Sequence, residues 1–514
     1  MSKNVVNPII LADIPDPSVI RVNDTYYMTS TTMYFTPGCP IMKSKDLVNW
    51  EIVNYVYDII DDNDHMNLQN GKHDYGRGSW ASSLRYHNGI FYVAFVAYCT
   101  GKTYIYQTTD IEAGPWRRYE IDGIYHDMSI LFDDDGRVYM VYGGGAIKLI
   151  ELTADATAIK PGGLNTTIIE NADISGGNSL AEGAHIYKLN GYYYIFIIVW
   201  PRTGTRRRIE VCYRASSIDG LYEGKIMFDD DMGFNNAGVA QGGIVDTPDG
   251  KWYGFLFQDH GAVGRVPVLV PVTWEGDWPI FGDNGKMPTI MPWPADEYTA
   301  DALIKPDDFT DTTLGLTWQW NHNPKNSDWS LTARPGWLRL KSNKCNSLSD
   351  AVNTLTQRTF GPKCTGSICM DISHMQDGDF AGLAALQDQY GFVGIKMANG
   401  EKHIIMAEAP DTTKEAGIEG QRIYKTGVPE TEVEAVPTTA NVVYLKVDFD
   451  FTDAIDEAEF YYSYDNANWV KIGRKLKMSY RLSHFTGYRF ALFSYATKAA
   501  GGYVDFDWFR VSAL

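Results

Sequence analysis

Three acids in this 514-residue chain, Asp16, Asp127 and Glu182, share one setting. Each stands a fixed distance before a tyrosine that ends a short recurring segment, twelve residues for Asp127 and Glu182 and eleven for Asp16. The same count of twelve back from two further tyrosines lands on Trp80 and Gln241. Carboxylates brought together repel one another, a cost tolerated mainly where one must hold a proton and another must accept one. An indole face and an amide beside them suit a polar, ring-shaped ligand. For any single acid the competing reading is a turn or strand-end cap, a common use of aspartate. Register across repeats favours convergence.

The elements that must position these residues are hairpins. Five segments resemble one another: Asn23-Asp24-Thr25-Tyr26-Tyr27, Asn88-Gly89-Ile90-Phe91-Tyr92, Asp135-Gly136-Arg137-Val138-Tyr139, Asn190-Gly191-Tyr192-Tyr193-Tyr194 and Asp249-Gly250-Lys251-Trp252-Tyr253. Each is a turn dipeptide, or a near equivalent, followed by β-formers, with another apolar run before it. The final tyrosines are 65, 47, 55 and 59 residues apart, a spacing that fits four-stranded propeller blades with loop insertions. The innermost strand of each blade lines the central channel, so equivalent positions at its start converge near the axis. The expected pocket is ringed by three carboxylates, Trp80 and Gln241.

Composition removes several alternatives. There are 45 Lys+Arg against 64 Asp+Glu, a formal charge of −19, which repels phosphate backbones and anionic membranes. The one basic cluster, Arg206-Arg207-Arg208, is too small to reverse this. The most apolar run, Tyr192 to Trp200, is far shorter than the ~20 residues of a spanning helix. Neither a nucleic acid nor a membrane is an expected partner. With no apolar leader at Met1-Ser2-Lys3-Asn4, the chain as written is expected to be cytoplasmic, or else exported with its leader removed. Six scattered cysteines lack the spacing of a zinc site or disulfide framework and read as free thiols, with Cys364 and Cys369 the one pair near enough to consider. Aromatic residues make up 13% of the chain, which suits β packing and sugar-like ligands.

At these residues the chain resembles glycoside hydrolase family 43, five-bladed propeller enzymes that remove xylose and arabinose from plant polysaccharides. The resemblance rests on Asp13-Ile14-Pro15-Asp16-Pro17, on His126-Asp127-Met128-Ser129-Ile130-Leu131-Phe132, on Glu182-Gly183-Ala184-His185-Ile186-Tyr187, and on Gly264-Arg265-Val266-Pro267. It covers about the first 295 residues in the right order. It implies that Asp16 is the general base, Glu182 the general acid, and Asp127 the residue that orients Glu182 and raises its pKa. Hydrolysis with inversion needs such a base and acid on opposite faces of the sugar, ~6.5–9.5 Å apart. The resemblance also places Arg265 against a sugar hydroxyl, with a structural ion pair as the equal alternative, and Trp80 face-on to the sugar. Gln241 stands where many β-xylosidases of the family have a histidine. His260 is the residue that could supply it, holding a structural calcium or sodium ion through water; the chemistry itself requires no cofactor. Asp133-Asp134-Asp135-Gly136 fails the EF-hand pattern and reads as a turn.

Beyond Trp293 a polar, proline-bearing stretch reads as a linker. Further on, Trp337–Lys341, Val443–Phe449 and Tyr503–Val511 alternate at period two like half-buried sandwich strands. This half resembles the concanavalin-like β-sandwich that follows the propeller in many family members. The expected architecture is all-β: a five-bladed β-propeller at 1–295, a linker at 296–306 and a β-sandwich at 307–514. The expected activity is exo-acting, inverting release of terminal α-L-arabinofuranose, β-D-xylose, or both, from arabinoxylan, xylan, xyloglucan or their oligosaccharides. Two rival readings exist. A retaining fructan-type hydrolase would carry Asn-Asp-Pro-Asn and Arg-Asp-Pro elements, which do not occur here. A non-catalytic carbohydrate-binding propeller would have an incomplete acid set.

Overall fold

The computed structural model describes residues 4–409 and 424–514, with the backbone of 414–415 and 422–423. Its first part is five four-stranded antiparallel sheets, each a meander of strands that follow one another in the chain, interrupted in the first only by the short strand Phe35–Thr36. Their innermost strands are Ser18–Val22, Ser79–His87, Ser129–Phe132, Ala181–Leu189 and Ala240–Asp246. These neighbour one another in a closed ring, first to second and so on round to fifth against first. This is a five-bladed propeller. Its ring is fastened by the N-terminal segment: Val5 N–H donates to Met291 O at 2.8 Å and Ile14 N–H to Arg265 O at 2.8 Å, tying the start of the chain to blade five.

Local sequence explains the blades. The two-residue turns Asn88-Gly89 and Asn190-Gly191 have positive φ at both positions, the type I′ geometry whose twist matches the flanking strands. The second strands, such as Ile90–Ala97 and Tyr192–Val199, are buried on both faces between adjacent blades. They therefore read as unbroken apolar runs rather than alternating ones. The run that ends at Trp200 is one of these strands, and no helix among the described residues is long and apolar enough to cross a membrane.

The second part is a nine-stranded sheet facing a seven-stranded sheet. Leu383, Val393, Ile404 and Phe490 from one meet Ile368, Leu445, Phe460 and Phe506 from the other in a common core. Val442–Asp450 alternates buried and less buried residues along its length, as one face of a sandwich requires. Between Phe281 and Gln319 the chain adds no strand to either sheet, crossing from blade five to the sandwich with a bridge from Pro292 to Asn4 and one from Asp307 to Phe509. All six cysteines are free, including Cys364 and Cys369, which share one strand.

Propeller and sandwich are stitched together by backbone and by apolar packing. Phe35–Thr36, in a blade-one loop, pairs with Trp320 and Asn321 at the edge of the nine-stranded sheet. Ala262, Val263 and Val266 of blade five join the sandwich core. The buried carboxylate of Asp13 accepts from Arg265 N–H at 2.9 Å on the propeller and from Gly487 N–H at 2.9 Å on the sandwich. A single side chain thus fixes the sandwich segment beside the propeller axis.

Candidate active site

The residues that start the innermost strands share an uncommon backbone. Asp16, Asp127 and Gln241 have φ of 51°, 48° and 59°, and Gly183, next to Glu182, has 70°. Left-handed residues that are not glycine cost energy and cluster at functional sites. In blades two, four and five the ladder also slips, between Ser79 and Ser82, Glu182 and His185, and Ala240 and Gly243. Bulges at such rims re-aim side chains. Gly183 is required twice over, because a Cβ there would lie 2.7 Å from the Gln241 side chain as well as at positive φ. Gln241 is held by Glu210, whose Oε2 accepts the Gln241 N–H at 2.8 Å. Glu210 is fully buried, among the described residues no cation pairs with it, and burial pushes its carboxyl well up, towards the neutral acid.

The three acids converge. Asp16 Oδ1 accepts from Arg265 Nη1 at 2.8 Å and Oδ2 from Thr31 Oγ1 at 2.5 Å. Arg265 lies between the rings of Phe257 and Phe485, 4.7 and 4.5 Å from their centroids. Opposite, His126 Nε2 is 3.1 Å from Glu182 Oε2 and 3.6 Å from Asp127 Oδ2, while Nδ1 meets Tyr98 Oη at 3.0 Å. Burial opposes a charge on His126, but Asp127, Glu182 and more distant Asp16 outweigh it and push the imidazole up to about 9. Burial pushes Asp127 up to about 7, reinforced by Glu182 and Asp16 and opposed by His126. We read the neutral-pH site as an imidazolium between two carboxyls, because both carboxyls face it at contact distance.

A cavity of about 1070 Å³ opens over this group, lined by His126, Glu182, Trp80, Gln241 and Arg265 among others. Asp16 and Asp127 stand behind that lining, bonded to Arg265 and beside His126. The sandwich contributes Tyr424, Leu482, Ser483 and Phe485 to the wall, with Phe485 4.8 Å from Trp80. The structure therefore brings together six of the seven sequence candidates. Arg265 makes the ion pair with Asp16 and also lines the cavity. The seventh, His260, lies apart from the lining: its ring stacks on Phe234 at 3.9 Å and Nε2 meets Gln258 Oε1 at 2.7 Å. Burial pushes its pKa down to about 4. With its ring on Phe234 and Nε2 on Gln258, His260 does not stand in for a histidine on the cavity lining. Among the described residues the one cluster with metal-ligating geometry is His126, Asp127 and Glu182.

Sequence reasoning missed His126, Tyr98 and Phe485. His126 adjoins Asp127, and in a regular strand neighbours point to opposite faces. The left-handed Asp127 breaks that alternation, so its carboxyl stands beside the His126 ring that lines the pocket. Phe485 comes from the far end of the chain, and no local pattern marks it.

Comparison with known proteins identifies this arrangement. Residues 5–279 match the model of glycosyl hydrolases family 43, and residues 306–512 match the beta xylosidase C-terminal concanavalin A-like domain. The chain belongs to glycoside hydrolase family 43. A family relative from Formosa agariphila, named a beta-xylosidase, is 30% identical over 98% of this chain and 89% of its own length. A non-reducing end alpha-L-arabinofuranosidase of Bacteroides ovatus is 28% identical over 100% of this chain and 95% of its own. Among solved structures, a bifunctional GH43-CE protein of Bacteroides eggerthii superposes with a TM-score of 0.92 at 48% identity over the whole of this chain. This family-43 chain spans 64% of the length of that solved chain.

Proposed function

We propose that the chain hydrolyses the terminal pentose of a xylan- or arabinoxylan-type oligosaccharide, releasing α-L-arabinofuranose, β-D-xylose, or both, with inversion. The observation that carries this is the opposed pair: Asp16 anchored by Arg265 and Thr31 on one side, Glu182 bonded to His126 on the other. Asp16 has each oxygen occupied by one donor, and each keeps a lone pair for the attacking water. As base it takes that water's proton. Glu182 delivers a proton to the glycosidic oxygen as the bond to the sugar breaks. His126 holds the orientation of Glu182, and Asp127 stands beside His126. Trp80, on the cavity lining, offers a ring face to the pentose. The sandwich wall at Phe485 narrows the cavity towards a chain end, which supports exo action. Two carboxyls and water complete the chemistry, so the hydrolysis itself requires no cofactor.

The test is hydrolysis of aryl β-xyloside and aryl α-arabinofuranoside by one preparation, with proton NMR of the first-formed sugar. Inverted product is expected; initial retention of configuration would refute the base assignment. Glu182→Gln should abolish turnover of natural glycosides and spare much of that on substrates with good leaving groups, which need little protonation.

A further inference from the structure

The mouth of the cavity carries charge that the chemistry above does not use. In a chain with 64 acids and 45 bases, most cations near the cavity are paired: Arg265 with Asp16, Arg208 with Asp259, Lys72 with Asp64. Arg202 and Arg206 are exposed, and among the described residues neither side chain makes an ion pair or hydrogen bond. They border a shallow hollow of about 510 Å³ whose other walls are Leu180, Trp200 and Pro201. Leu180, Trp200 and Arg202 also line the main cavity, so the two spaces are continuous.

Trp200 forms a platform there. It is 48% exposed and Leu180 beside it 47%, large values for such residues at a cavity mouth. Its orientation is fixed, because the indole N–H donates to Arg206 O at 3.0 Å and the Arg208 guanidinium lies 4.9 Å from its ring. A rigid exposed indole over a cation is a ready stacking surface for a sugar ring.

The position of the platform relative to Glu182 says which sugar. Glu182 pairs with Ile198 across the hairpin, and Trp200 N–H donates to Leu180 O at 3.0 Å, two residues along each strand. At ~3.3 Å per residue the platform stands roughly 7 Å from the general acid. Glu182 protonates the leaving oxygen, so what lies just beyond it is the leaving-group sugar and not the released pentose.

We propose that Leu180, Trp200, Arg202 and Arg206 form a leaving-group subsite that selects a sugar chain bearing a carboxylate, the chemistry of a uronic acid substituent. The inference rests on the hydrolytic reading above. Trp200 supports the ring, and the two unpaired guanidiniums meet the carboxylate with charge-assisted hydrogen bonds. A neutral chain would leave both cations without a partner.

The experiment compares a pentose-capped oligosaccharide carrying a uronosyl branch on its leaving-side sugar with the same compound after reduction of the carboxyl to an alcohol. The ratio of kcat/KM, acidic over reduced, is expected to be about fivefold to tenfold at low salt, as two exposed ion pairs provide. It should fall towards one at ~0.5 M salt, where exposed charges are screened. Arg202→Ala with Arg206→Ala should bring the ratio close to one at any salt, and Arg202→Lys with Arg206→Lys should keep part of it. Because each ratio is taken within one protein, a general loss of activity cancels. A wild-type ratio of about one, or a ratio that survives both alanine substitutions, overturns the proposal while aryl pentoside turnover leaves the hydrolytic reading standing. No turnover of either aryl pentoside overturns both.

Discussion

His126→Gln isolates the charge at the centre of the site, since glutamine can still donate to Glu182 but cannot carry a proton. In the folded chain the imidazole is raised from its ordinary 6.5 to about 9 by Asp127 and Glu182 against the opposing effect of burial. Its side chain is 23% exposed and that of Glu182 24%, so solvent screens the pair only in part. Two and a half pH units at about 1.4 kcal/mol each correspond to roughly 3 kcal/mol. A group whose folded pKa is raised stabilises the fold fully below its unfolded pKa and loses that contribution as pH rises through the folded one. The whole effect is therefore present near pH 6, declines from there to pH 9, and is absent above. At an unfolding entropy of about 2 cal/mol/K per residue, 3 kcal/mol is about 3 °C in Tm for 514 residues unfolding together. Thermal unfolding of both proteins at pH 6 and pH 9.5 measures it: wild type is expected to exceed the variant by about 3 °C at pH 6 and by nothing resolvable at pH 9.5. A gap of equal size at both pH values would show that packing, not charge, is what His126 supplies, and the imidazolium reading would fall.

Asp127→Asn should trade activity for stability. Burial raises Asp127 from 3.8 to about 7, so the folded chain loses stability as pH rises through that window; the variant should match wild type in Tm near pH 4, exceed it at pH 8, and hydrolyse glycosides poorly at both. Asp13→Ala leaves two buried N–H groups, of Arg265 and Gly487, without an acceptor. About 2–4 kcal/mol of stability should be lost, seen as a lower denaturation midpoint, and KM should rise because the Phe485 wall is no longer fixed. Phe485→Ala opens the wall against Trp80 and Arg265 directly, so steady-state kinetics on an aryl pentoside should show KM raised more than kcat lowered. An unchanged KM would remove the sandwich from substrate binding.

The propeller is legible in the sequence because its signals are local and repeated. Turn pairs such as Asn88-Gly89 and Asn190-Gly191, each followed by an aromatic-rich strand, recur once per blade, and repetition fixes the register that sets Asp16, Trp80, Asp127, Glu182 and Gln241 at equivalent places. The sandwich is legible by its period-two alternation. His260 shows where that reasoning stops: a histidine close in sequence to Arg265 looks available to the axis, yet its ring packs on Phe234 outside the cavity lining.

Spacing along one chain is enough to set the number of blades and to point three acids at one axis, while the family follows from resemblance in the motifs that carry them. It is not enough to place His126 between Asp127 and Glu182, since this follows from one left-handed φ that reverses the alternation of a strand. Nor does it show that the segment around Phe485 closes the pocket. Asp13 and Gly487 are 474 residues apart in sequence, and no local pattern reports a contact made across that distance. The same holds for Arg206 at the mouth: the basic run Arg206-Arg207-Arg208 is visible in the sequence, but that Arg207 and Arg208 find acids depends on what the fold brings within reach.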